Sequence, residues 1–255
     1  MGSEAFLSSS LVRLPAPHLL VSQSNSVANC SLPSTSLSSI THKPDTLCMI
    51  QNSGIIACLR APSAELAYEA ACAAVRGGIS VLEMTMFTPD VFEVLKHMVL
   101  EYPYCAFGVG TVLNVKDARK AAVLGASFVM SPATVPEIMN DNLDSQLLYI
   151  PGAMTPTEIL SVYNNGAKIV KVYPVSALGG VKYVSALKKS FPHIPVVASQ
   201  GVTLESVGEF ISHGASAVVL SDAIFPSTAL EQKNMEAICQ LARIASRRAK
   251  QSLLL

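Results

Sequence analysis

Charge is scarce in this chain. Only 14% of its 255 residues are Asp, Glu, Lys or Arg, the formal net charge is +0, and no basic block occurs anywhere. That balance argues against nucleic acid as the main partner. No apolar run approaches the ~18 residues that cross a membrane, so no membrane partner is expected. Cys30, Cys48, Cys58, Cys72, Cys105 and Cys239 show no CxxC spacing, and the five histidines show no HxH or HxxxH spacing. A disulfide framework, a zinc site or another metal centre is therefore not expected, nor is any other cofactor. The thiols read as reduced and mostly buried. What the chain has in quantity is apolar residues, 50% of the total, enough for one compact domain with a sizeable core.

Acid is scarcest at the start. Residues 1–42 hold twelve serines but a single acidic residue, Glu4, with Arg13, His18 and His42 as the basic groups. Pro15, Pro17 and His18 interrupt the one candidate apolar stretch, so a secretory signal is not expected. Serine richness with so little acid and so little arginine favours a plastid transit peptide over residues 1–47 and a place in the chloroplast stroma. A plain disordered tail is the alternative.

From residue 54 two kinds of segment alternate. β-rich runs occur at 54–60, 80–86, 105–112, 127–132, 147–153, 169–174, 195–201 and 216–224. Helix-period stretches lie at 63–76, 90–101, 115–124, 134–143, 155–164, 180–190, 203–213 and 234–249. Ser63, the Thr88-Pro89-Asp90 run, Thr155 with Glu158, and Thr203 with Glu205 mark helix starts. Eight β-α units with short connections predict a (β/α)8 barrel, class α/β, over residues 48–250, with a tail at 251–255. An open doubly wound sheet is the other arrangement, but no GxGxxG fingerprint follows the first strand, and Gly108-Val109-Gly110 is a bare GxG.

Lys171 sits in the apolar run Ile169-Val170-Lys171-Val172-Tyr173-Pro174. A lone lysine is more often found at an exposed strand edge. If this strand lies inside a barrel, desolvation disfavours the charged amine, and a neutral amine attacks a ketone to form a Schiff base. The other strand ends raise the second reading, because barrel enzymes build their sites there. Arg60, Glu83, Thr85, Thr111, Ser131 and Ser199 all fall at or near those ends. Period-2 alternation puts Glu83, Thr85 and Phe87 on one face, and Lys171 with Ile169 and Tyr173 on another. With the apolar alternates facing the helices, Glu83 and Lys171 point inward. Such a pair suits aldol chemistry: the amine forms an iminium with a 2-keto acid, the carboxylate shuttles protons, and Arg60, helped by the Thr111 hydroxyl, grips the substrate carboxylate. Arg60 paired with Glu83, and Thr111 as a simple strand-end cap, remain open alternatives.

Several motifs carry a family likeness. Cys58-Leu59-Arg60-Ala61, Gly77-Gly78 through Glu83-Met84-Thr85, and Gly108-Val109-Gly110-Thr111-Val112 are followed by Ser131-Pro132, Ile150-Pro151-Gly152-Ala153, Val170-Lys171-Val172-Tyr173-Pro174 and Gly179-Gly180. Over roughly residues 52–248 the chain resembles the 2-keto-3-deoxy-6-phosphogluconate / 4-hydroxy-2-oxoglutarate aldolases. The resemblance implies a metal-independent carbon–carbon lyase, usually a homotrimer, acting on a small 2-keto acid. It puts the Schiff-base lysine on Lys171, the acid/base on Glu83, and substrate contacts on Thr111 and Arg60. Ser131, Pro132, Tyr173, Ser199 and Gly201 are further candidate substrate contacts. Two departures stand out. Some members carry an arginine where this chain has Phe87, which leaves Arg60 to hold the carboxylate alone. The phosphate-binding turns are also rewritten, as Ser199-Gln200-Gly201 and Ser221-Asp222-Ala223, which favours a substrate without a phosphate. A catalytically silent barrel with a binding role is the second hypothesis. A phosphate-binding epimerase or synthase is the third.

Overall fold

The computed structural model describes residues 45–141 and 147–254. The expected transit segment lies outside these residues except for its last three, 45–47. Of these, Thr46 and Leu47 are the first two residues of a helix. α1 (Thr46–Ser53) is capped by Asp45, whose carboxylate accepts from the Cys48 N–H at 3.3 Å. The boundary expected at residue 47 therefore cuts through the first turn of an ordered element.

Nine short parallel strands follow: β1 (Ile55–Leu59), β2 (Val81–Thr85), β3 (Ala106–Gly110), β4 (Phe128–Met130), β5 (Leu148–Ile150), β6 (Gly152–Ala153), β7 (Val170–Val172), β8 (Val196–Ser199) and β9 (Ala217–Leu220). Their order in the sheet is β5-β4-β3-β2-β1-β9-β8-β7-β6. The two outermost members, β5 and β6, are halves of one run of chain divided at Pro151. Proline has no N–H to give a ladder, yet its carbonyl still accepts from the Lys171 N–H at 2.9 Å. The ring is thus an eight-strand barrel whose fifth strand is broken, and the expected (β/α)8 architecture is observed.

The helices between strands are α2 (Ala64–Arg76), α3 (Val91–Glu101), α4 (Val115–Val123), α5 (Pro136–Met139), α6 (Pro156–Asn164), α7 (Val181–Ser190) and α8 (Val207–Ser212); α9 (Ser227–Glu231) and α10 (Met235–Leu253) follow β9. Ser63 caps α2, and Thr155 with Glu158 forms a capping box on α6. α8 starts four residues later than the sequence suggests, because Thr203 and Ser206 close a local turn through their own hydroxyls. α10 continues through Leu253, so residues 251–253 are helical, not a tail. α10 also packs closely on α2: a Cβ at Gly77 would lie 2.5 Å from both the Cys239 carbonyl and the Ala242 Cβ.

The barrel interior follows the alternation. Ile56, Val81, Ala106, Phe128, Met130, Ile150, Ile169, Val197, Ala217 and Val219 form one buried cluster with Ile50 of α1. α1 leads directly into β1 through Gly54, so it plugs the end where the strands begin. The opposite end, where the strands finish, is left for polar groups.

Candidate active site

A cavity of about 740 Å³ opens at the strand ends, and among its lining residues are Arg60, Glu83, Thr85, Thr111, Lys171 and Ser199. Lys171, 7% exposed, stands on β7 in register with Gly152 on one side and Val197 on the other. It shares the inward face with Ile169, as alternation requires. Its Nζ lies 5.2 Å from the centre of the Tyr173 ring. Lys168, by contrast, is exposed and precedes the strand.

Glu83 on β2 is 1% exposed, flanked by Cys58 of β1 and Gly108 of β3. Its room comes from Gly110: a Cβ there would sit 1.5 Å from the Glu83 Oε1. Only a glycine at the end of β3 admits that carboxylate. Among the described residues, Glu83 Oε2 and Thr85 Oγ1 are buried and have no hydrogen-bond partner. Leaving such atoms unsatisfied costs stability, and native folds tolerate it mainly where the atom has another use.

Cys58 sharpens the assignment of the nucleophile. Burial pushes its thiol pKa well above its ordinary value, and the Glu83 carboxylate beside it pushes it further, against a smaller pull from Lys171 and Arg60. A thiol held protonated is a poor nucleophile, which leaves the Lys171 amine as the candidate nucleophile of this cavity. Among the described residues, Lys171, Glu83 and Arg60 take part in no ion pair within 4.0 Å. Arg60 is therefore not paired with Glu83; its guanidinium lies 5.2 Å from the centre of the Phe87 ring.

The remaining expected residues divide. Thr111 lines the cavity at φ 60°, a left-handed conformation that a β-branched residue adopts only under constraint. Pro132, Tyr173, Ser199 and Gly201 also line it. Ser131 does not: it is fully buried, and its hydroxyl is 2.7 Å from the Tyr149 hydroxyl. Tyr149 in turn accepts from the Val135 N–H, next to α5. Phe128, Met130 and Pro132 take the inward side of that strand, which turns Ser131 toward the outer layer. The sequence reading missed three supports, namely Gly110, the Cys58 thiol and the Phe87 ring. The parity of Cys58 with Arg60 was the available signal for the second.

The model of the aldolase family "KDPG and KHG aldolase" matches residues 48–241. The chain belongs to that family. It is 28% identical over 186 residues to the KHG/KDPG aldolase of Escherichia coli K12, covering 73% of this chain and 87% of that protein. It is 27% identical over 172 residues to a 2-dehydro-3-deoxy-phosphogluconate aldolase of Pseudomonas aeruginosa, covering 68% and 78%. Among solved structures, a native KDPGal structure aligns at a TM-score of 0.72 with 25% identity, over 79% of this chain and 96% of the other. The fold is also that of the KDPG aldolase of Legionella pneumophila, solved with pyruvate captured as a covalent carbinolamine, at a TM-score of 0.70 and 24% identity over 77% and 96%.

Proposed function

We propose that this chain is a class I aldolase, a carbon–carbon lyase that cleaves a 4-hydroxy-2-keto acid to pyruvate and an aldehyde through a Schiff base. The observation that carries this reading is one cavity lined by both a buried lysine, Lys171, and a buried carboxylate, Glu83, whose Oε2 has no hydrogen-bond partner among the described residues. The Lys171 amine attacks C2 of the keto acid, giving a carbinolamine, and loss of water gives the iminium. Glu83 takes the proton of the C4 hydroxyl. The C3–C4 bond then breaks, its electrons reduce the iminium to an enamine, and the aldehyde leaves. Protonation of the enamine at C3 and hydrolysis release pyruvate and return the amine. Arg60 and the Thr111 hydroxyl suit the substrate carboxylate. The relatives' names, and the carbinolamine trapped in the Legionella enzyme, support the same chemistry.

Borohydride reduction in the presence of pyruvate tests this. A stable adduct on Lys171 is expected by mass spectrometry; no adduct, or one on Lys168 alone, would favour the silent barrel. The rewritten turns at Gln200 and Asp222 are what motivates that second reading.

Two further readings rest on composition and family likeness. The segment ahead of α1 directs the chain to the chloroplast stroma, and the barrel works as a homotrimer. A fluorescent reporter fused after residue 50 should enter plastids and lose the segment, whereas a full-length cytosolic reporter would refute the targeting. Light scattering on the purified barrel should return three times the chain mass.

A further inference from the structure

Phe87 lies against Arg60, which lines the cavity, and the reaction above does not use it. Its ring is 65% exposed, and exposed apolar side chains scattered singly are ordinary. What sets this one apart is its neighbour. Arg60 is itself exposed and, among the described residues, makes no ion pair within 4.0 Å; its guanidinium carbon lies 5.2 Å from the Phe87 ring centre. An arginine without such a contact samples many rotamers, and fixing them on binding weakens the grip on a ligand.

The pairing is built into the barrel. β1 and β2 run in register with Cys58 beside Glu83 and Leu59 beside Met84, which brings Arg60 beside Thr85. Past Thr85 the chain folds back, with the Thr88 N–H bonded to the Thr85 carbonyl at 2.9 Å. The Thr88 hydroxyl, on a side chain 2% exposed, then accepts from the Ala61 N–H at 3.3 Å. That bond ties the residue after Arg60 to the residue after Phe87. The two side chains are therefore neighbours by backbone geometry, not by chance of rotamer.

We propose that Phe87 is a positioning residue whose ring holds the Arg60 guanidinium over the cavity mouth for the carboxylate of the 2-keto acid. An aromatic ring suits this task better than an acidic partner. A protein carboxylate would occupy the N–H fork that the substrate needs, whereas a ring attracts the cation without taking its hydrogen-bond donors. The proposal rests on the aldolase reading above.

The test is the rate of borohydride trapping as a function of pyruvate concentration, with the Lys171 adduct confirmed by mass spectrometry. Phe87→Leu should raise the half-saturating pyruvate concentration about two- to fivefold, the range expected of an exposed cation–ring contact, and leave the limiting trapping rate unchanged. Phe87→Tyr should restore the wild-type value. Phe87→Leu added to Arg60→Gln should have no further effect. A wild-type half-saturation in Phe87→Leu, a loss in the limiting rate instead, or an equal rise in the Arg60→Gln background would each overturn the proposal. So would a change in particle mass on Phe87→Leu, since the ring would then serve contact between copies. If wild-type protein gives no adduct, the Schiff-base reading falls and this proposal falls with it; a normal wild-type adduct with an unaffected Phe87→Leu removes this proposal alone.

Discussion

Around Lys171 the cavity wall is strand: β1, β2, β3 and β7 present Cys58, Glu83, Gly110 and the amine itself, all set by ladder register. At the far side the wall is turn. Gln200 and Gly201 leave β8 with φ of 81° and 74°, and the Gln200 amide oxygen accepts from the Ser176 hydroxyl of the 3-10 turn Val175–Leu178. A Cβ at Gly201 would lie 2.5 Å from the Ser176 Cβ. Asp222 and Glu205 bring carboxylates to that side, and Glu205 faces Arg248 at 3.4 Å. The near end is built of strands and holds the groups proposed for the chemistry; the far end is built of turns. Register fixes side-chain placement over several strands at once, whereas a turn can be rewritten without disturbing its neighbours.

The comparison breaks most decisively at the near end. Lys171→Arg keeps a cation but removes the nucleophile, because a guanidinium does not deprotonate in proteins. Pyruvate release should fall to background and the trapped adduct should vanish; retained turnover would move the chemistry elsewhere. Glu83→Gln should keep the fold and lower kcat by roughly 10²–10⁴-fold, the usual worth of a positioned acid/base, as read by a coupled pyruvate assay. Wild-type turnover in that variant would place the proton shuttle on another group. Gly110→Ala reaches the same carboxylate by crowding. Its new methyl must displace Glu83, so activity should drop with it, and denaturant unfolding should show a loss of about 1–3 kcal/mol.

Far-end changes should be smaller and selective. In water, Asp222 and a phosphate a few ångströms away repel by about 1 kcal/mol per pair of unit charges. Wild type is therefore expected to prefer an unphosphorylated 4-hydroxy-2-keto acid such as 4-hydroxy-2-oxoglutarate. Gln200→Gly with Asp222→Gly should raise kcat/KM for the phosphorylated substrate about tenfold relative to the unphosphorylated one, with the trapping of pyruvate unchanged. A wild type that prefers the phosphorylated substrate would show that backbone N–H groups of the same turns hold the phosphate. The smallest effect belongs to Glu158, whose carboxylate accepts from the Met154 and Thr155 N–H groups, and those bonds lower its pKa. A carboxyl group with a depressed folded pKa stabilises the fold above its unfolded pKa and loses that contribution as pH falls through the folded value. Unfolding midpoints of wild type and Glu158→Ala should therefore differ slightly at neutral pH and converge in acid.

Much of the barrel was legible because strand and helix signals are local. The eight β-rich runs each contain a strand, though Pro151 breaks the fifth, a break that its missing N–H explains. α1, α9 and the 3-10 turn were not legible: all three lie outside the eight helix-period stretches. Within the site, the inward placement of Lys171 and Glu83 followed from alternation alone. Ser131 lies at a strand end, but its parity faces it away from the cavity and toward Tyr149.

Alternation of side chains along a strand is a property of the backbone at each residue, so the sequence by itself determined that Lys171 shares a face with Ile169, and Glu83 with Val81. The run of eight β-α units likewise determined the architecture, since each short connection allows few ways to pack. Only the tertiary structure decided that Glu83 rests in the space left by Gly110, that Cys58 lies beside it, and that Arg60 lies against Phe87 and not against Glu83. Each of those contacts joins residues about 25 positions apart or more through the ladder between neighbouring strands. Such a neighbour is chosen by register and closure of the whole ring, and no local pattern in the chain records it.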